Sequence, residues 1–279
     1  MNLNEEHIKS LLAFVGYGDF SKADVVFLAN EGGLGDRSVE ENIFDICGLI
    51  REDSNNWLEN DWSNGYWKIN QWSPGRVGKV PRSPFLKLTS RMMLALEDQS
   101  QSCENWFRRK DINVITKVNK FLMEGGLYSN RPGISTALLD WRPLPRKTER
   151  EPLPYENVDQ IRYFEAFRFK DRSDNPYIKW REERINLFRS LFKVFSIPVV
   201  LCVGASEDKK ILAKEIWGIS KYDEIELYSS GKKIYVSKEA VGAGTKVIIS
   251  PFFGYEHMGY AGVCDLTAYI QENILIHKS

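Results

Sequence analysis

The chain has 279 residues, 43% of them hydrophobic and 27% charged, with 38 Lys and Arg against 38 Asp and Glu, so its formal net charge is zero. These are globular values with length enough for a well-buried core, and the balance removes a global basicity while leaving room for a local basic face. No apolar run approaches the roughly 18 residues of a membrane span, and the opening MNLNEEHIKSLL is acidic and lacks the apolar core of a signal peptide, so a cytoplasmic protein with no membrane association is expected.

Residues 4–15 predict a short helix. Residues 25–29, in ADVVFLANEGG, form an unalternated apolar run, the mark of a strand covered on both faces. They lead into a polar, glycine-rich turn, Asn30–Glu31–Gly32–Gly33. DRSVEENIFDICGLIRE then reads as a helix with Val39, Ile43, Ile46, Cys47 and Ile50 on one face, capped by Asp36 or Ser38. Strand, turn and helix open a βαβ unit.

Residues 52–84 break the pattern. Trp57, Trp62, Trp67 and Trp72 recur every five residues among Asn, Ser, Gly and Pro, a period of neither helix nor strand. One reading is an ordered insertion or lid, with Arg76, Lys79 and Arg82 adding a basic stretch suited to a partner; the other is a self-packed surface loop.

Helices are predicted over 85–97 and 104–124. GISTALLDWRPLPRK supplies a second strand, 135–139, ending at Asp140–Trp141–Arg142 and two prolines, where the sheet is expected to stop. Helices follow over 155–169 and 178–195. A third strand, 199–203, has Gly204 at its tip and a helix after it. Residues 224–237 read as a hairpin through Ser230–Gly231, 246–250 as a fourth strand, and 259–275 as the closing helix. Four apolar strands alternating with helices predict one α/β domain over 1–279: a three-layer α/β/α sandwich around a mostly parallel four-stranded sheet, with an aromatic-rich insertion at 52–84. In such sheets the ligand crevice lies outside the carboxyl ends of the strands, where the four tips converge.

The tips carry the chemistry. NEGGLG places glycines before a helix, but there is no G-x-G-x-x-G and no G-K-[ST], so neither a dinucleotide fold nor a P-loop is supported. Glu31 can orient a water or stabilise a cation; alternatively Asn30 and Glu31 satisfy backbone donors in a tight turn. Asp140 is a second carboxylate, Trp141 a stacking surface, and Arg142 and Arg146 phosphate contacts; alternatively this stretch is a proline-braced loop with an ion pair. His257 lies in the loop after the fourth strand with Gly254, Tyr255, Gly259 and Tyr260, either as a functional group or a structural one. Aromatic content of 13% with eight Trp fits a large core or stacking surfaces for flat ligands. Cys47, Cys103, Cys202 and Cys264 show no C-x-x-C spacing, so free, mostly buried thiols are expected, with no metal and no cofactor.

In this order the motifs resemble the uracil-DNA glycosylase superfamily, whose fold is a four-stranded parallel sheet between helices. LANEGG (28–33) is similar to the motif after the family's first strand, STALLDWRPLPR (135–146) to its second-strand loop, VVLCVG (199–204) to its third strand, and IISPFFG (248–254) to the last strand running into S-x-H-P-S. The resemblance implies that Glu31 stands where the family has a water-activating Asp or Asn, Gly33 at the position closing that motif, and Phe252 where it has the histidine that stabilises the departing base. Phenylalanine has no hydrogen to donate, so His257, five residues on, substitutes only if the loop folds back. Glu in place of Asp adds a methylene, enough to move an attacking water by about 1 Å.

The implied activity takes a base out of the DNA stack and hydrolyses its N-glycosidic bond. Catalysis would fall to Glu31, His257 and Asp140. The base pocket would be walled by Asn30, Gly32, Gly33, Trp141, Arg142, Gly204, Phe252, Phe253 and Tyr255, and phosphates would be gripped by Arg76, Arg142 and Arg146. Two other readings stay open. One is a catalytically silent relative that binds a nucleotide, DNA or a protein partner through the same pocket and the tryptophan-rich insertion. The other is an unrelated α/β enzyme acting on a small phosphorylated or nucleoside substrate.

Overall fold

A computed structural model describes residues 1–35, 37–52, 80–129, 131–170, 174–242 and 244–275. The four regularly spaced tryptophans, Arg76 and Lys79 lie outside these residues. In chain order the described elements are helix α1 (Glu5–Ala13), strands β1 (Gly16–Tyr17) and β2 (Val25–Gly33), helices α2 (Val39–Glu52), α3 (Pro84–Glu97), α4 (Cys103–Trp106) and α5 (Ile112–Met123), and strand β3 (Thr136–Arg146). Then come helices α6 (Gln160–Phe167) and α7 (Tyr177–Val194), strand β4 (Val199–Val203), helix α8 (Ser206–Trp217), strands β5 (Tyr222–Glu226), β6 (Lys233–Ser237) and β7 (Lys246–Ser250), and helix α9 (Gly259–Asn273).

The four expected strands are β2, β3, β4 and β7, and they form a contiguous parallel centre. The sheet itself is larger and mixed: seven strands in the order β1-β3-β2-β4-β7-β6-β5. β1, too short to carry a sequence period, lies antiparallel on β3. The expected hairpin forms as β5–β6 and extends the sheet by pairing β6 antiparallel to β7. Every residue of β4 is buried, as its unalternated apolar run requires of a strand covered on both faces. One layer of helices includes α3, whose Phe85 meets Phe27 of β2 edge-on at 6.0 Å. The opposite layer includes α6 and α7, where Phe167 and Phe188 pack on Trp141 of β3 at 5.2 and 6.1 Å. Phe27 and Leu138 are register partners, and Trp141 is three residues further on, so it points to the other face.

Local signals set the helix ends. Ser38 caps α2: its Oγ accepts from the Glu41 backbone while Glu41 Oε2 accepts from the Ser38 N–H, a capping box; the other candidate, Asp36, lies outside the described residues. The predicted 104–124 helix is two helices, because Asp111 accepts from the N–H groups of Asn113 and Val114 and starts α5 afresh.

Two strands outrun their predicted ends. NEGG is not a turn but the end of β2, and β3 continues through Pro143 and Pro145 to Arg146, pairing Glu31 with Arg142 and Gly33 with Arg146 across an irregularity. The prolines are tolerated because β1 pairs with β3 only at Leu138 and Leu139. Beyond Asp140, β3 has a neighbour on one side, and a missing N–H on the open side costs no ladder bond. Cys47 and Cys202 are buried free thiols, while Cys103 is half-buried with its Sγ 3.7 Å from that of Cys264. Among the described residues no helix is long and apolar enough to cross a membrane, and no group of three or more His, Cys, Asp or Glu is placed to hold a metal.

Candidate active site at the parallel strand tips

β2 pairs with β3 on one side and β4 on the other, so the strand order reverses beside β2. That switch point is where open α/β sheets leave a crevice. β4 ends there in Gly204, at φ 77°, and Ala205, at φ 48°, both left-handed, and α8 starts directly after them. A Cβ on Gly204 would meet Asn30 Nδ2 at 3.4 Å and Phe252 Cβ at 3.6 Å. Gly204 therefore lets the tips of β2, β4 and β7 close up. Asn30 Nδ2 also donates to Glu149 at 2.9 Å.

Phe252 stacks on Phe85 with centroids 5.7 Å apart and planes 13° apart. Phe253 is fully buried against Phe27. The loop after β7 folds back: the N–H groups of His257 and Gly259 donate to the Gly254 carbonyl, and that of Met258 to Phe252. The exposed His257 ring consequently stands edge-on to Phe252 at 6.3 Å.

On the other side of β2 lies a charged cluster. Glu31 Oε2 accepts from Arg142 at 2.7 Å and Oε1 from Arg146, with all three side chains no more than 6% exposed. Both guanidiniums lie over the Phe164 ring, at 5.3 and 4.7 Å. Arg142 and Arg146 were expected to reach phosphates; instead they are buried on Glu31. The extended β2–β3 register puts Glu31 opposite Arg142, and a carboxylate at that depth is held by cations. Trp141 is likewise core rather than stacking surface: it is buried, its indole N–H donates to Phe167 O at 3.1 Å, and it stacks on Phe169. Tyr255 faces Tyr260 rather than Phe252. Arg76 lies outside the described residues.

Asp140, opposite Ala29 in the β2–β3 register, has the opposite environment. It is buried, and neither carboxylate oxygen has a hydrogen-bond partner among the described residues. Asn42 Oδ1, from α2, is also without one. Both residues line a narrow cavity of about 10 Å³ with Tyr17, Gly32, Gly33 and Arg142, at the lower limit for holding one water. Gly32 packs its backbone on the carboxylate, so that a Cβ there would stand 3.0 Å from Asp140 Oδ2. Burial raises the Asp140 pKa to about 7 against the pull of Arg184; the Glu31 charge adds to the rise and Lys209 opposes it.

Two residues of this neighbourhood were not foreseen. Arg184 of α7 is fully buried and donates to the carbonyls of Leu12, Phe14, Asp140 and Trp141, tying β3 to the end of α1; burial lowers its pKa to about 10. Lys209 of α8 donates to Ala29 O at 2.7 Å, and burial lowers its pKa to about 8. The signal for both was position: Arg184 shares a helical face with Phe188 and Leu191, and Lys209 with Leu212, Ala213 and Ile216.

A buried carboxylate without donors, at a strand tip and beside room for one water, has the makings of a proton acceptor. No family model, no curated protein and no solved structure matches the chain.

Proposed function

We propose that this chain is a divergent uracil-DNA glycosylase-like protein that recognises a nucleobase in DNA and hydrolyses its N-glycosidic bond at the parallel strand tips. The observation that carries the reading is the orphaned carboxylate of Asp140 beside a one-water cavity. In this account Asp140 holds the attacking water and takes its proton as the water oxygen bonds to C1′. The C1′–N bond breaks with its electron pair leaving on the base, and His257, returned to Phe252 by the loop, donates to the departing ring. Such a base contributes about 10²–10⁴-fold. Glu31 fixes Arg142 and Arg146 and keeps Asp140 poised, rather than activating water itself.

A base must also enter. Phe252 already covers Phe85 at 5.7 Å, whereas a ring sandwiched between them needs about 7 Å, twice a van der Waals contact. Phe252, 40% exposed, swings away to admit it. The test is base release from single- and double-stranded oligonucleotides carrying uracil, hypoxanthine, xanthine or mismatches. Release that needs Asp140 supports the reading; none from any substrate by folded protein overturns it.

The two arginines on Glu31 and the closed Phe85–Phe252 stack also favour a second reading, a catalytically silent relative that binds DNA, a nucleotide or a protein at the same tips. Under it Asp140→Asn leaves binding intact and no base is ever released.

A further inference from the structure

We propose that the turn between α4 and α5, together with Tyr255 and Tyr260 at the start of α9, docks the phosphate backbone of DNA beside the strand tips. This rests on the DNA reading above and supplies what the tips lack. Arg142 and Arg146 are buried on Glu31, so the backbone must be held by other cations.

Arg108, Arg109 and Lys110 are consecutive and exposed in that turn. Residues 104–117 carry four cations, these three and Lys117, against two carboxylates, in a chain of zero net charge. One of the two, Asp111, is engaged in capping α5. The Arg109 guanidinium stands 5.9 Å from the Tyr260 ring centroid and that of Arg91 at 5.1 Å. Tyr255, 46% exposed, stacks on the same ring at 5.5 Å with planes 8° apart. Arg91 is buried and donates to the carbonyls of Trp106 and Arg108, so it fixes the turn against the tyrosines.

Next to Arg109 in the chain, Arg108 lines an open cleft of about 340 Å³ with Lys117, Gln101, Asn105, Asn113 and Asp111, the last a carboxylate already engaged by the α5 N–H groups. Tyr255 belongs to the same loop as Phe252 and His257, so the patch and the tip site share one loop. The exposed Tyr255 ring, backed by Tyr260 and its two guanidiniums, suits sugar-phosphate and unstacked bases. A polyanion without bases or sugars, such as polyglutamate, would use the cations but not the tyrosine face.

The experiment is fluorescence anisotropy of a labelled 20-base-pair duplex against salt, using the full chain and the triple variant Arg108→Ala, Arg109→Ala, Lys110→Ala. All three side chains are exposed, and an unchanged melting temperature verifies the fold. Removing up to three phosphate contacts should weaken binding at least tenfold near physiological salt and flatten the slope of log affinity against log salt by about 2–3. Against the same duplex carrying one unpaired base, Tyr255→Ala should weaken binding at least fivefold through lost stacking, with the slope unchanged. Wild-type affinity and slope in the triple variant would overturn the proposal, as would polyglutamate of matched charge binding as tightly as DNA. Duplex binding that depends on this patch, with no base released, would leave this surface standing while sinking the hydrolytic reading.

Discussion

Glu31 and Asp140 stand on neighbouring parallel strands with opposite electrostatic environments: two arginines clamp Glu31, and no donor reaches Asp140 among the described residues. The arrangement separates two roles. Glu31 organises the two arginines, and its charge joins burial in lifting Asp140 toward neutrality. A carboxyl whose pKa is raised in this way, beside a second carboxylate, is a candidate proton acceptor.

Asp140→Asn keeps the shape and removes the charge. Base release should fall by about 10²–10⁴-fold, with duplex binding retained. In the wild-type protein, release should rise with pH as Asp140 ionises through about 7 and level off above it. A pH–rate profile checks this, and a rate flat from pH 5 to 9 would contradict it.

The same residue sets a pH dependence of stability. Its folded pKa, about 7, lies above the ordinary 3.8, so between those values the native state binds the proton that the unfolded chain releases. Stability is therefore greatest below about pH 4 for this group and falls as pH rises to about 7, by on the order of 4 kcal/mol. Thermal melts from pH 4 to 8 should show that Asp140→Asn loses this component, and is the more stable protein at pH 8.

Glu31→Gln breaks a buried triad and leaves Arg142 and Arg146 uncompensated. It should cost about 3–5 kcal/mol, read by denaturant unfolding. A loss under about 1 kcal/mol would show that the clamp does not hold the tips.

The Gly204–Ala205 corner yields a prediction of opposite signs at adjacent residues. Ala205 is held at φ 48°, a conformation costing an L-residue about 1–2 kcal/mol. Ala205→Gly should accordingly stabilise the protein by about 1 kcal/mol. Gly204→Ala should destabilise it by about 1–2 kcal/mol and press on Asn30 and Phe252. Unfolding midpoints of the two variants decide it.

Under the proposed function, Phe252 and an extrahelical base compete for the face of Phe85. Phe252→Ala should bind an oligonucleotide with an unpaired base at least as tightly as wild type. Phe85→Ala should lose about 1–3 kcal/mol of stacking. Equal losses in both would mean that the two rings act as one wall.

The parallel centre of the fold was legible because its strands are buried on both faces and read as plain apolar runs, of which Val199–Val203 is the clearest. β1 was not, since two residues carry no period. The reach of β2 and β3 past their predicted ends was hidden by Gly32, Gly33, Pro143 and Pro145, residues that signal turns locally and are overridden here by pairing along one open edge. The tips were identified from strand order, yet their contents had to be redistributed: Arg142 and Arg146 turned inward because Glu31 lies in register with Arg142, and Trp141 because strand alternation aims it at α6 and α7. The Glu31 pairings join residues more than a hundred positions apart, and composition carries no record of them. Arg184 and Lys209 were visible only as charges on apolar helical faces.

The most direct measurement is base release from the oligonucleotide panel by wild type and Asp140→Asn, with duplex binding and melting temperature recorded on the same samples. The account predicts release by wild type from at least one substrate and its near-complete loss in the variant, with fold and binding preserved. Release undiminished in Asp140→Asn, or none from any substrate by folded wild-type protein, would contradict it.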